Sequence, residues 1–405
     1  MALARDGETA VGVGPRTVLV VLGTRPDAIK MAPVIASLRQ FPEEFRPVVV
    51  ATAQHREMQD QVLEWFGIAP DYDLDIMTEN QSLADITIRT LGGLWDVFAE
   101  VSPDFVLVQG DAAPCFVGAL AAFYRKVPVG HVEAGLRTRD KYQPFPEELY
   151  RRMTTVLADL HFAPTQTARA HLVAEGVPPE RITVTGNTVI DALLEVVRRK
   201  APPRDPRLRE ILGRPGRRIL LTTHRRENWG APQRRIFEAV RALLDELPDL
   251  ELVFPVHPNP VVSQPAYEVL GAHPRAHLFP PLDYPTVVAC MEDATLILTD
   301  SGGIQEEAPS LGRPVLVLRD TTERPEGVRA GTAALVGTDR ELILRTALDL
   351  LTDPEAYDRM SRARNPYGDG RAAARIVAAL RRYFGFTATP PEEFGGDADD
   401  GGPPP

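Results

Sequence analysis

Short β-rich apolar runs alternate with longer stretches of helical pattern along most of this 405-residue chain. That alternation restricts the possible folds more than any other feature. The runs cover 17–22, 48–52, 104–108, 127–131, 181–185, 218–223, 251–256, 294–299, 314–318 and 333–336. Strand–helix–strand alternation predicts an α/β fold with parallel sheets and helices on both faces. About ten strands strain a single open sheet. The pattern therefore predicts two doubly wound, Rossmann-like domains of similar size facing a cleft. The boundary falls near Gly186-Asn187. A Pro- and Arg-rich stretch, 200–216, follows as a linker or loop before the strand at 218–223. In such folds ligands sit at the carboxyl ends of the strands, so the turns after the strands are where chemistry is expected.

The most informative of those turns is Asp300-Ser301-Gly302-Gly303-Ile304-Gln305-Glu306-Glu307. It lies between a buried-strand pattern and a helix that stops at Gly312-Arg313-Pro314. Orphan N–H groups and the positive end of the helix dipole converge there, the geometry that binds phosphate. Two glycines allow close approach of a diphosphate. Glu307, about one turn further in, is placed to accept from ribose hydroxyls. A nucleoside diphosphate is the expected ligand, and a plain capped helix is the alternative.

Other strand ends carry charge. Arg25 and Lys30 follow the first strand, where a guanidinium can fork onto phosphate; solvated charges on a βα turn are the alternative. Asp111 follows the run 104–108 and reads either as a catalytic acid/base or as a helix N-cap. His131 and Glu133 follow the apolar run Val127-Pro128-Val129. Strand alternation predicts that they share one face, with a Glu133–Arg137 ion pair as the competing role. Glu147 precedes a helix carrying Arg151 and Arg152, where a first-turn acid also suits the dipole. His224 ends the first strand of the second half, and His257 sits at another strand end in a turn-like Pro/Asn context. Arg324 lies in a polar loop after 314–318, within reach of phosphate or sugar or simply solvated. His161, His273 and His277 read as structural or surface residues.

Composition bounds the partners. The formal net charge is −11 and the pI about 5.3, against a nucleic-acid or anionic-membrane partner. Cys115 and Cys290 make no disulfide framework, which predicts a reducing cytoplasmic location. No apolar run reaches membrane-spanning length, and 1–15 has no signal-peptide core and is expected to be a flexible lead-in. The end of the chain, 387–405, is rich in Pro, Gly and acid and is expected to stay disordered. No metal-ligand spacing is present, nor a P-loop or dinucleotide fingerprint. Neither a metal nor a cofactor is expected.

Taken together, Gly23-Thr24-Arg25-Pro26, Gln54-His55-Arg56-Glu57-Met58, Gly130 to Arg137, Pro146-Glu147-Glu148, Gly186-Asn187-Thr188, His224 to Asn228, Ser301 to Glu307 and Arg319 to Glu326 resemble the non-hydrolysing UDP-N-acetylglucosamine 2-epimerases. The resemblance implies a glycosyltransferase-B type fold, usually homodimeric. It implies domains at 16–185 and 186–365, with a last helix within 366–386 returning to the first. The implied reaction is epimerisation at C2 of UDP-N-acetylglucosamine, a small-molecule nucleotide sugar. UDP is eliminated to leave a 2-acetamidoglucal and then re-added. Arg25, Lys30, Ser301, Gly302, Gly303 and Arg324 would grip the diphosphate, with Glu307 on the ribose. Asp111 and Glu147 would transfer protons, with Glu133 in support and His224 at the departing phosphate. Mutual repulsion is expected to raise the carboxylates. Gln54, His55, Gln81, Arg225 and His257 match the position of an activating second UDP-N-acetylglucosamine. Two departures stand out: Ala112-Ala113-Pro114 replaces three Thr after Asp111, and Leu282 replaces a Gln near the uracil. They leave open an epimerase for a modified amino sugar. A hydrolysing epimerase, a glycosyltransferase of the same fold and a non-catalytic UDP-sugar sensor remain alternatives.

Overall fold

The computed structural model describes residues 14–52, 56–78 and 81–395. The first half runs β1 (Arg16–Leu22), α1 (Arg25–Leu38), β2 (Phe45–Ala51), α2 (Arg56–Phe66), β3 (Tyr72–Asp73), α3 (Leu83–Val101), β4 (Phe105–Gln109), α4 (Ala113–Tyr124), β5 (Val129–Val132), α5 (Glu147–Leu157), β6 (Leu160–Ala163), α6 (Gln166–Ala174), β7 (Ile182–Val184) and α7 (Thr188–Arg199). The second runs α8 (Pro206–Leu212), β8 (Arg217–Thr222), α9 (Ala231–Glu246), β9 (Leu250–Pro255), α10 (Pro260–Leu270), β10 (Ala276–Phe279), α11 (Tyr284–Asp293), β11 (Leu296–Thr299), α12 (Gly302–Glu307), β12 (Val315–Val317), α13 (Pro325–Arg329), β13 (Ala333–Leu335), α14 (Arg340–Thr352), α15 (Pro354–Ser361) and α16 (Ala372–Tyr383).

The strands form two parallel sheets, ordered β3-β2-β1-β4-β5-β6-β7 and β10-β9-β8-β11-β12-β13. In each, the first strand of the half sits centrally and the order reverses beside it, at β1/β4 and β8/β11. Such switch points open a crevice at the strands' carboxyl ends. The central strands are apolar on both faces because helices cover both: Val18 to Leu22 in β1 and Leu296 to Leu298 in β11 are all buried.

α7 joins the halves. Its apolar stripe, Val189, Ile190, Leu193 and Val196, is buried in a cluster that includes β1 and α1 residues as well as Val288, Ile297 and Val315 of the second half. α16 packs on α1 and α7, and Phe384 meets the rings of Phe45 and Phe105 edge-on.

Three strands fall outside the runs read from sequence: β3, β6 and β10. β6 and β10 each carry a buried histidine, His161 and His277, which breaks the apolar run that marks a strand. The tail also differs from expectation up to Gly395. Phe394 is 2% exposed, its N–H donates to the carbonyl of Val184 at the edge of the first sheet, and Glu393 pairs with Arg169. One aromatic anchor with flanking ion pairs orders a segment whose composition alone argues against order. Among the described residues, no helix is long and apolar enough to cross a membrane.

Candidate functional site

The candidate residues sit where the strands end. Arg25 and Lys30 belong to α1 after β1, Asp111 follows β4, and Glu133 follows β5. His224 follows β8, Ser301 to Gly303 follow β11, and Arg324 follows β12. The two sets converge. Arg25, from the first half, is half-buried within electrostatic reach of Asp283, Glu307 and Tyr284 from the second. Burial lowers its pKa, and those three neighbours oppose the drop.

Asp111 is not a helix cap: the N-cap of α4 is Ala112. Its Oδ2 accepts instead from Arg151 of α5, Nε at 2.9 Å and Nη2 at 2.5 Å. Glu147 is the first residue of α5. Its Oε2 is buried with no hydrogen-bond partner. Burial raises its pKa and the charge of Asp111 adds to the rise, while Arg151 and Arg225 oppose it. Mutual repulsion of carboxylates is therefore the lesser cause, and burial the larger.

Glu133 departs from the geometry read from sequence. β5 ends at Val132, and Glu133 adopts a left-handed conformation with φ 64°. Strand alternation with His131 stops there. His131 turns to the carbonyl of Gly110, with Nε2 at 2.8 Å, and burial holds it down at about 4. Glu133 faces Lys30, whose Nζ lies 2.7 and 2.6 Å from its two oxygens, and it also accepts from Gln109. Arg137 pairs with Glu175 rather than Glu133. Burial alone would lower the Lys30 pKa, but Glu133 and Glu306 outweigh it and hold the ammonium charged.

In the second half, Arg324 donates from Nε to Glu306 Oε1 at 2.6 Å. Its guanidinium lies against Gly302: a Cβ there would come within 2.5 Å of Nη1. Gly302 is glycine because a cation occupies the space of a side chain. Ser301 N–H is already used by Thr299 Oγ1 at 2.9 Å. The N–H groups of Gly302 and Gly303, in the first turn of α12, are then the ones at this turn able to receive an anion. Glu307 is buried, with Oε2 2.8 Å from the hydroxyl of Tyr284, and burial pushes it up to about 7.

Sequence reasoning gave no role to Asp300, the last residue before the Ser-Gly-Gly turn. It is fully buried and accepts from the backbone N–H groups of His224 and Arg225 at 3.0 Å. Its Oδ1 also lies 3.0 Å from Nδ1 of His224. The exposed His224 ring is thereby oriented, with Nε2 left for a ligand. The signal was a lone acid at the end of an apolar strand, where charge must be paired or functional.

The residues expected at a second nucleotide-sugar site are only partly brought together. His257 lies within electrostatic reach of His224, and Arg225 is adjacent in sequence. Among the described residues, Gln81 makes only local bonds, to Thr78 and Met77. Gln54 and His55 lie outside the described residues. A cavity of about 980 Å³ opens beside the candidate residues, walled by Leu136 to Thr138, Tyr142 to Pro144, Arg319 to Glu323 and Arg225. Its lining includes none of Arg25, Lys30, Asp111, Glu147 and Arg324, so it reads as the mouth of the cleft rather than its floor. Among the described residues, no cluster of His, Cys, Asp or Glu could hold a metal ion.

Two doubly wound parallel sheets facing each other at their strand ends place the chain in the two-domain α/β glycosyltransferase-B fold class. The particular family follows from comparison. The family profile described as UDP-N-acetylglucosamine 2-epimerase matches residues 37–381. The UDP-N-acetylglucosamine 2-epimerase of Bacillus subtilis is 52% identical over 381 residues, covering 94% of this chain and 98% of that protein. The protein of the same name from Escherichia coli K12 is 52% identical over 371 residues, covering 90% and 98%. The crystal structure of the Neisseria meningitidis UDP-GlcNAc 2-epimerase bound to UDP-GlcNAc superposes with a TM-score of 0.84 at 46% identity, covering 90% of this chain and 100% of that one. This chain belongs to the UDP-N-acetylglucosamine 2-epimerase family.

Proposed function

We propose that this protein interconverts UDP-N-acetylglucosamine and UDP-N-acetylmannosamine without net hydrolysis. The C2 proton of the sugar has no adjacent carbonyl, so its direct removal is very difficult. Elimination avoids this. As the C2 proton passes to a carboxylate, the C1–O bond breaks, its electron pair leaves with UDP and a C1=C2 double bond forms. The resulting 2-acetamidoglucal is reprotonated at C2 from the opposite face, and the β-phosphate oxygen of UDP adds back at C1.

The observation that carries this reading is the contrast between two neighbouring carboxylates. Asp111 is ion-paired with Arg151, whereas Glu147 has a buried, unpartnered oxygen and a raised pKa. Two acid/base groups in environments this different suit removal of a proton on one face and delivery on the other. Arg25, Lys30, Arg324 and the Ser301–Gly303 turn would hold the departing diphosphate, with Glu307 on the ribose. Glu133 would act through Lys30, to which it is bound, and His224 would meet charge developing on the phosphate. A glycosyltransferase would need the same diphosphate grip but an acceptor site and only one base.

A homodimer belongs to the same reading. The adjacent helices α3, α4 and α5 expose Ile88, Trp95, Phe123, Leu149 and Val156, an apolar surface of the kind that subunits cover. The proposal extends to an activating second UDP-N-acetylglucosamine at Gln54, His55, Gln81, Arg225 and His257, supported by the proximity of His257 to His224, the residue before Arg225.

The direct test is incubation of the purified protein with UDP-N-acetylglucosamine, followed by chromatographic separation of the nucleotide sugars. The reading expects an equilibrium mixture of the two epimers. Accumulation of free UDP with free N-acetylmannosamine makes the protein a hydrolysing enzyme. Unchanged substrate overturns the assignment for this sugar.

A further inference from the structure

We infer that Asn187, at the junction of the two halves, is a positioning residue that holds the carboxylate partners of Lys30 and Arg324 in a fixed relation across the cleft. Asn187 is 2% exposed and lies between Gly186, at φ +80°, and the first turn of α7. Its side chain has three partners. Oδ1 accepts from the N–H of Val189 at 3.1 Å, capping α7. Nδ2 donates to Glu133 Oε1 at 3.1 Å and to Glu306 Oε2 at 3.0 Å. The orientation of the amide is chemically forced: the reverse rotamer would set a carbonyl oxygen against two carboxylates and an N–H against an N–H.

Glu133 belongs to the first half and Glu306 to the second. Each holds one cation, Lys30 and Arg324 respectively. One nitrogen thus lies about 3 Å from two buried carboxylates, which repel each other wherever no donor separates them. Burial pushes Glu306 above the usual carboxylate range. Arg324 and Lys30 pull it down, and the charge of Glu133 adds to the push. The amide spends both its protons on that separation. It therefore sets the spacing of the two carboxylates and, through them, of the two cations. The inference rests on the reading that Lys30 and Arg324 grip the UDP diphosphate.

Two substitutions separate this role from helix capping. Aspartate and serine both cap helices about as well as asparagine. Asn187→Asp places a third carboxylate against the other two, while Asn187→Ser keeps the cap with a single donor that cannot serve both. Calorimetric titration of UDP into wild type and both variants, with thermal unfolding alongside, is the experiment. We expect UDP affinity to fall about 10-fold or more in N187D and less in N187S, with N187S still folded and its unfolding midpoint lowered less than that of N187D. Where N187D fails to fold, N187S carries the test. Wild-type UDP affinity in a folded variant overturns the inference, because capping would then be the residue's whole role. Lack of UDP binding by the wild type overturns it too. Weaker UDP binding in the variants of a protein that does not epimerise UDP-N-acetylglucosamine would sustain the inference while sinking the epimerase reading.

Discussion

Arg151 grips Asp111 through one oxygen: Nε and Nη2 of the guanidinium lie 2.9 and 2.5 Å from Oδ2. The pair joins α5 to the end of β4 and sets Asp111 beside Glu147 on the same helix as Arg151. Replacing Asp111 by Asn, or Glu147 by Gln, would remove one of the two proposed proton-transfer groups while preserving shape. Each is expected to lower kcat by about 10²–10⁴-fold. UDP affinity should stay within about threefold of wild type, since neither group belongs to the diphosphate grip. Arg151→Met leaves Asp111 without its partner and should lower kcat in parallel. Steady-state kinetics with UDP calorimetry checks all three. A large loss of UDP affinity with normal kcat would reassign these residues to binding.

Gly302→Ala tests the proposed diphosphate grip from the other side of the site. An added Cβ would sit 2.5–3.1 Å from the Arg324 guanidinium, so the cation must move. The expected outcome is UDP binding weakened about 10-fold or more, with some loss of thermal stability because the guanidinium that must shift is ion-paired with the buried Glu306. Unaltered UDP affinity would show that Arg324 does not contact the diphosphate.

Two buried carboxylates set a pH dependence of stability. Burial raises Asp27 to about 7, with the nearby charge of Asp111 adding to it, and raises Glu307 to about 7. A group whose folded pKa is raised contributes stability that is fully present below its unfolded value. That contribution is lost as pH rises through the folded value. The unliganded protein should therefore melt at a lower temperature at about pH 8 than at about pH 6.5. The buried His131 and His161, held down at about 4 and about 3, act in the opposite direction only below their ordinary range. Glu307→Gln should flatten the slope. A slope of opposite sign, or one unchanged by the substitution, would contradict the account.

Much of this architecture was legible before any coordinates. The runs that became β1, β4, β8 and β11 are apolar on both faces because helices cover both, and that pattern survives in the sequence. β6 and β10 were not legible, because His161 and His277 interrupt them and their burial is decided by neighbours distant in the chain. The positions of Arg25, Lys30, Asp111 and Ser301–Gly303 at strand ends followed from local pattern. The orientation of Glu133 did not: a left-handed residue directly after β5 turns its side chain from His131 to Lys30. The partners of Asn187 and Asp300 also depend on contacts between segments far apart in sequence, which no local pattern encodes. The docking of Phe394 belongs to the same class, since one buried aromatic overrides a composition that argues for disorder.

The central claim is that the C2 proton leaves the sugar. Proton NMR of the purified protein with UDP-N-acetylglucosamine in deuterated water tests it most directly. The account predicts the C2 proton signal fading from both epimers as solvent deuterium enters at C2 and UDP-N-acetylmannosamine appears. Epimer formation with the original proton retained at C2, or no change at all in a protein that binds the substrate, would contradict it.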